Sequence, residues 1–322
     1  MGIKMMKSKK SIKRIISFGL SAILLFSSSC RSESQKVICH TPEDIGYIEY
    51  IDKGYSFSLH SYSAFLYDLD EKKILYEKNV DRLLYPASTV KLLTAVYALT
   101  ILDPETIISP GEEVSFISSG SSIAYIKSYH QISVEMLIEG MLLPSGNDAA
   151  YALAGAAGRK LAGDENLSGE KAIQVFMKGM NEYAATIGCI SSYFSVPDGN
   201  DRENCYSSLE DMLLIANLAY ENELIRKYGG LFQDNVTYAS GHTNQWTNTN
   251  KMLDPDSSFY SPYVTGLKTG SLTSYYNLIL TASDGSKQFL IGLFGASTTD
   301  ERFQDGKQIL NTLFKENENE YD

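Results

Sequence analysis

Ser88 and Lys91 stand three residues apart in Pro86-Ala87-Ser88-Thr89-Val90-Lys91, at the head of an apolar run. That spacing puts both side chains on one side of a helix's first turn, within reach of each other. A lysine carried into an apolar helix tends to lose its proton rather than stay charged. A neutral amine beside a hydroxyl is the base that an attacking serine needs. Serine-x-x-lysine is a weak signal alone, and the chain holds a second copy, Ser168-Gly169-Glu170-Lys171. That copy opens an amphipathic helix, so Ser168 reads as an N-cap and Lys171 as a solvated lysine.

Two other groupings could join the first. Leu142-Leu143-Pro144-Ser145-Gly146-Asn147-Asp148 sets Ser145 and Asn147 on a tight turn between two helices, where positions i and i+2 can aim at one cavity. The plainer reading is helix capping, for which Ser, Asn and Asp are the usual residues. Lys268-Thr269-Gly270 lies on a strand of otherwise apolar residues, where the plainer reading is an edge-strand lysine.

These residues need a scaffold. From 88 to 102 the chain reads as a helix that is apolar on nearly every face, hence buried, with Pro86 and Pro104 punctuating its ends. Before it, 62–68 and 74–77 read as a hairpin around the charged turn Asp70-Glu71-Lys72-Lys73. From 103 to 250 the chain is mostly helical with polar loops, and helices are expected over 133–143, 148–161, 171–187 and 208–221. After 260 the period changes to that of strands, over 263–269, 275–282 and 288–295. The last two join through Ser283-Asp284-Gly285, and a helix over 300–314 follows. The chain thus leaves a sheet, builds a helical lobe and returns, an α+β arrangement.

In chain order, the three groupings resemble the serine-x-x-lysine, serine-x-asparagine and lysine-threonine-glycine motifs of the penicillin-interacting serine enzymes. Within them the sequence is most similar to the low-molecular-mass D-alanyl-D-alanine carboxypeptidases, serine peptidase family S11. The likeness runs from about 64 to 314 and includes 85–88, 91–95, 143–150, 246–253 and 264–270. It implies a β-lactamase/transpeptidase-like fold, with an antiparallel five-stranded sheet flanked by helices plus a helical lobe. The domain would span 61–316, with the sheet part in 61–87 and 251–316 and the lobe in 88–250. A tether over 31–60 and an acidic tail over 317–322 would flank it.

The resemblance also implies roles. Ser88 would attack the carbonyl between two D-alanines of a peptidoglycan stem peptide, and β-lactams would be covalent inhibitors at the same atom. Lys91 would take the Ser88 proton, its pKa lowered by burial and by Lys268. Ser145 would pass a proton to the departing amine, and Asn147 would hold Lys91 and the substrate amide. Lys268, Thr269 and Arg302 would meet the terminal carboxylate, and Gly270 would let the substrate backbone come close. The N–H groups of Ser88 and Ser271 would form the oxyanion hole. No cofactor is implied, and with neither a CxxC pair nor a Cys/His cluster the sequence gives no support for a zinc site.

Other activities remain open to this machinery. A D,D-endopeptidase acting on cross-links would use the same residues. A β-lactamase would need a glutamate in the lobe for deacylation, and Glu182 is the nearest candidate but lacks the leucine-asparagine that follows it in such enzymes. An inactive peptidoglycan- or β-lactam-binding protein would keep the fold and lack a reacting group. A Ser-His-Asp hydrolase is disfavoured, because His40, His60, His130 and His242 lie outside the matching segments. Two departures from the family stand out. No separate β-domain or amphipathic helix is expected after 314. Tyr129-His130 also occupies a turn where the family carries glycine and an acidic residue.

The remaining signals concern location. Lys4, Lys7, Lys9, Lys10, Lys13 and Arg14 precede an apolar run over 15–26, too short to span a bilayer and suited to a secretory signal peptide over 1–30. Ser27-Ser28-Ser29-Cys30 resembles a lipoprotein cleavage box, with Ser27 where that pattern carries leucine. Cys30 would then be lipidated and tether the protein to a membrane outside the cytoplasm. Ordinary cleavage near the serines, releasing a free protein, is the alternative. Removing that leader takes the net charge from −11 to about −17. So acidic a chain disfavours nucleic acid and anionic membrane surfaces, leaving a lipid anchor as the only membrane contact. Cys189 and Cys205 flank a loop with Pro197-Asp198-Gly199 and in an exported protein could form a disulfide, two buried thiols being the alternative.

Overall fold

The computed structural model describes residues 49–51 and 53–318; the expected signal peptide over 1–30, the expected lipidation of Cys30 and the end of the expected acidic tail lie outside them. In chain order the strands and helices are β1 (Glu49–Tyr50), β2 (Ser63–Asp68), β3 (Lys73–Lys78), α1 (Lys91–Leu99), β4 (Ile107–Ile108), β5 (Ile132–Ser133), α2 (Val134–Leu142), α3 (Asn147–Ala162) and α4 (Gly169–Thr186). Then come α5 (Leu209–Glu221), α6 (Glu223–Gly230), β6 (Gln233–Thr237), β7 (Thr243–Thr247), β8 (Val264–Leu272), β9 (Tyr275–Ser283), β10 (Gln288–Ala296) and α7 (Thr299–Glu318).

The main sheet has the order β1-β3-β2-β10-β9-β8. Its five long strands are antiparallel neighbours, as expected. The sixth, β1, is a two-residue addition that pairs in parallel with β3 through Glu49↔Lys73 and Tyr50↔Ile74. Of the tether expected over 31–60, only 49–51 and 53–60 are described, and that part is irregular beyond β1 yet packed against the domain. Tyr55 and Phe57 pack on the core, Leu59 is buried, and the Asp305 carboxylate accepts hydrogen bonds from the N–H groups of His60 and Ser61. Tyr55, Phe57 and Leu59 drive this docking, and the irregular backbone of 53–60 does not prevent it.

Period-2 alternation divides the sheet's contacts. Phe65 and Tyr67 of β2, with Leu290 and Phe294 of β10, face the helical lobe. Ala64 and Leu66, with Ile291 and Leu293, face Phe303, Ile309, Leu310 and Phe314 of α7. Each large side chain so buried contributes about 1.5–3 kcal/mol. All residues of α1 from Lys91 to Ala98 are buried, which matches the apolar character of its sequence. The chain enters it through a 3₁₀ turn, Ala87–Val90, rather than a regular helical start at Ser88.

Two elements were not legible as such in the stretch read as helices and loops: α6 and the β6–β7 hairpin. Each strand of that hairpin buries only one residue, Val236 and Trp246 respectively. Among the described residues, no helix is long and apolar enough to cross a membrane.

Candidate active site

The edge strand β8, the turn before α1 and the turn between α2 and α3 converge on one cleft. Ala87 (φ 51°) and Ser145 (φ 59°) both occupy the left-handed region without being glycine. Such a conformation is costly and persists only where surrounding contacts enforce it, which makes it a marker of function. At Ala87 the enforcement is visible. Asn277 Nδ2 donates to the carbonyls of Tyr85 (2.7 Å) and Pro86 (3.0 Å), and Thr89 Oγ1 donates to Pro86 O at 2.6 Å. At Ser145 the following Gly146 donates its N–H to Gly140 O at 3.0 Å, and Asn147 donates its own to Ser122 O at 2.9 Å.

Ser88 is half-buried at the cleft mouth, and Lys91 Nζ lies 2.8 Å from its Oγ. The same ammonium reaches Asn147 Oδ1 at 2.6 Å, Ser145 O at 3.0 Å and Ser145 Oγ at 3.3 Å. Lys268, also fully buried, places its Nζ 2.8 Å from Ser145 Oγ from the opposite wall. Ser88, Lys91, Ser145, Asn147 and Lys268 therefore share one connected network. Thr269 is buried beside Lys268, with its hydroxyl bonded to that of Thr249. Gly270 packs where a Cβ would stand 3.0 Å from Pro86 O, and Ser271 lies exposed at the far end.

Burial shifts both cations. It brings Lys91 down from 10.5 to about 8, against the opposing pull of the Asp198 and Asp148 carboxylates. It lowers Lys268 well below the usual lysine range, and the charges of Lys91 and Arg302 push the same way. Two buried ammonium groups converging on one hydroxyl cannot both hold a proton comfortably at neutral pH. The site thus holds two lysines of reduced basicity on one hydroxyl, so the pair gives up a proton far more readily than free lysines do.

Arg302 is buried at the start of α7, and not solvated. Its Nη1 donates to Gly270 O (2.8 Å), Ser271 Oγ (3.1 Å) and Asn277 O (3.0 Å), while Nε has no partner. In this geometry it braces the β8–β9 ladder behind Gly270 and Ser271.

Several residues at the site escaped the reading of motifs. Asp148 accepts from the N–H groups of Ala124 and Ile126, both at 2.8 Å, holding the loop that receives Asn147. Trp246 Nε1 donates to Ala124 O at 3.0 Å, which ties the hairpin to that loop. Asp198 O accepts from Ser88 Oγ at 3.5 Å, and Gly199 sits so close that a Cβ would stand 2.0 Å from Ala87 O. Asp148 was legible as a cap residue, Trp246 as the start of the matching segment 246–253, and Pro197-Asp198-Gly199 as a turn; the bonds they make were not.

The competing groups fall elsewhere. Ser168 is exposed at the start of α4; it occupies the N-cap position without making the side-chain bond expected of it, and Glu112 accepts from Gly169 N instead. Lys171 is exposed. Glu182 is exposed and pairs with Lys178 at 3.9 Å. His60 and Ser61 both bond to Asp305, the serine through its own hydroxyl at 2.6 Å, so no serine–histidine bond forms there. Cys189 and Cys205 are both buried and free, correcting the disulfide expectation. Cys189 Sγ bonds to Asp211 O on α5, whereas Cys205 Sγ meets Ser195 Oγ at 3.2 Å, so each thiol is engaged separately. His130 packs its ring against Tyr238 and His242 while Nδ1 accepts from Lys127 N, so this turn docks the tip of the β6–β7 hairpin.

A family model described as D-alanyl-D-alanine carboxypeptidase matches residues 52–298. The chain belongs to that family. Among curated members, DacF of Bacillus subtilis is 31% identical over 189 residues, 58% of this chain and 44% of that protein. The D-alanyl-D-alanine carboxypeptidase of a Streptomyces strain is 31% identical over 193 residues, 57% of this chain and 62% of that protein. The chain thus matches under two thirds of the length of these relatives. Two solved structures share the fold, each at 25% identity and covering 80% of this chain and 98% of the other. One is a point mutant of a Streptomyces DD-transpeptidase (TM-score 0.70), the other penicillin-binding protein D2 of Listeria monocytogenes in its ampicillin-bound form (TM-score 0.64). These structures share the fold described above, in which β1 lies at the sheet edge opposite β8.

Proposed function

We propose that the protein is a serine D-alanyl-D-alanine carboxypeptidase that removes the terminal D-alanine from peptidoglycan stem peptides and is acylated by β-lactams at the same serine. The observation that carries the reading is the buried Lys91 amine 2.8 Å from Ser88 Oγ, its pKa brought down to about 8. An amine of that basicity is poised to accept a proton near neutral pH.

In the proposed cycle Ser88 Oγ attacks the carbonyl between the two terminal residues while Lys91 takes its proton. The N–H groups of Ser88 and Ser271 hold the developing oxyanion, an effect often worth about 3–4 kcal/mol of barrier. Ser145 Oγ accepts from both lysines, so its own hydrogen is left to point at the departing nitrogen. The carbon–nitrogen bond breaks, D-alanine leaves with that proton, and Ser145 regains one from the lysine network. Water then cleaves the Ser88 ester, releasing the shortened peptide and restoring the hydroxyl. Lys268 and Thr269 receive the substrate's terminal carboxylate, supported from behind by Arg302. Glu182, exposed and paired with Lys178, is unsuited to activating a deacylating water, so penicillin is expected to remain attached.

The enzyme would act outside the cytoplasm, exported by residues 1–30 and held to the membrane through lipidated Cys30. Labelling with a radioactive fatty acid, lost in Cys30→Ala, tests the anchor. The activity is tested by free D-alanine release from acetyl-Lys-D-Ala-D-Ala. Wild type is expected to release it and Ser88→Ala is not; release by both would refute the assignment.

A further inference from the structure

The turn that carries Tyr129 and His130 is a stack of rings. His130 is buried, and its ring centre lies 4.6 Å from that of His242 and 4.9 Å from that of Tyr238, both at the tip of the β6–β7 hairpin. Tyr129 covers the pair, 4.7 Å from His130 and 5.5 Å from His242. Lys127 N donates to His130 Nδ1 at 3.2 Å, so the turn is closed through a lone pair that only the neutral ring offers. Ser240 Oγ lies 3.1 Å from His242 Nδ1, which fixes the second imidazole on the hairpin side.

From this tip a connected path runs to the cleft. The Tyr238 ring stands 6.0 Å from that of Trp246, and Trp246 Nε1 and Asn244 Nδ2 both donate to Ala124 O, at 3.0 and 2.9 Å. Ala124 packs so tightly on Gly146, between Ser145 and Asn147, that a Cβ at Gly146 would stand 2.6 Å from its own. Just beyond β7, Thr249 donates its N–H to Leu143 O at 3.1 Å and bonds through its hydroxyl to that of Thr269. The hairpin therefore braces both the turn that carries Asn147 and the strand that carries Lys268.

A proton on His130 Nδ1 would turn that acceptor into a second donor facing the Lys127 N–H. Burial opposes the cation, and the neighbouring His242 and Lys127 oppose it further. The Asp148 and Glu139 carboxylates act instead on the Tyr238 hydroxyl, and Tyr129 is neutral in the acid range. We propose that His130 and His242 are an acid-sensitive latch: protonation of the pair frees the tip of β6–β7 from the 127–130 turn and loosens the wall behind Ser145 and Asn147. A histidine held below its unfolded pKa makes the fold less stable as pH falls under about 6.5, which is the direction the latch requires. The effect on rate rests on the carboxypeptidase reading; the release of the hairpin does not.

Trp246 is the chain's single tryptophan and belongs to the hairpin, so its emission reports the latch directly. In wild type the emission is expected to shift to the red as pH falls below about 6.5, reversibly and with far-ultraviolet circular dichroism unchanged. His130→Phe, which keeps a buried ring, should abolish the shift. His242→Gln, at an exposed position, should move it to higher pH, because one opposing charge is gone. In the same range kcat/KM for D-alanine release should fall by more than about tenfold per pH unit in wild type, and by about the tenfold that Lys91 alone accounts for in His130→Phe. An emission that stays constant down to about pH 5, or shifts equally in His130→Phe, would overturn the latch. A shift without the steeper loss of rate would overturn its hold on the cleft. No D-alanine release at any pH would overturn the carboxypeptidase reading, while the emission still decides the latch.

Discussion

Lys268 Nζ stands 2.8 Å from Ser145 Oγ and so ties the edge strand of the sheet to the turn between α2 and α3, across the cleft from Lys91. That bond fixes the Ser145 hydroxyl, which in the proposed cycle serves the leaving group, and it sets Lys268 where the proposal places the substrate carboxylate. Lys268→Ala is expected to slow penicillin acylation about a hundredfold, because a charge-assisted contact to the reacting array is lost. Lys171→Ala, in the second serine-x-x-lysine copy, should change nothing measurable. Acylation rates of the two variants decide which lysine matters.

Lys91 sets the pH dependence. Its neutral form does the work, and its folded pKa lies near 8, so kcat/KM should climb through about pH 8 and level off above it. Stability carries the same sign. The folded pKa is lower than the unfolded one, so the unfolded chain binds more protons between about 8 and 10.5, and this group makes the fold more stable as pH rises through that window. Lys91→Met removes both trends and abolishes acylation, as pH–rate profiles and melts at several pH values can check.

Gly199 packs against the residue before the nucleophile, at φ 73° and with no room for a methyl group beside Ala87 O. Gly199→Ala is expected to cost about 3 kcal/mol of stability and to displace Ser88. Denaturant melts and penicillin trapping on the same sample measure the two effects.

How far the sequence disclosed this site depends on the range of the interactions. Ser88–Lys91 and Ser145–Asn147 are local spacings, and Lys268 stood out as a charge within an apolar strand. The strands of the sheet and helices α2 to α5 followed from periodicity in the same way. The β6–β7 hairpin did not, since Gln233, Asn235, Gln245 and their neighbours leave only Val236 and Trp246 to mark an inner face. Asn277 and Asp148 act on backbone groups 192 and 24 residues away respectively, and no local pattern announces such bonds. The 3₁₀ entry to α1 likewise depends on Asn277 gripping the chain from another strand.

Glu139, buried on α2 beside Asp234, is raised to about 8 by burial and by that second carboxylate, and one of its oxygens has no partner. An acid whose folded pKa exceeds its unfolded one stabilises the fold most at low pH and loses that contribution as pH rises from about 4.5 to 8. Glu139→Gln should therefore flatten the stability profile over that range and raise the melting temperature at pH 8. Calorimetry across pH would show it.

Cys189 and Cys205 predict insensitivity to reductant. The melting temperature should be the same with and without dithiothreitol, and both thiols should react with a thiol reagent only after unfolding.

Ser88, activated by the Lys91 amine, is the residue we propose to be acylated. Intact mass after incubation with penicillin, followed by peptide mapping, tests it most directly. A single penicilloyl adduct on the peptide carrying Ser88, absent from Ser88→Ala and from Lys91→Met, is the predicted result. An adduct on another peptide, or one that persists in Ser88→Ala, would contradict the account.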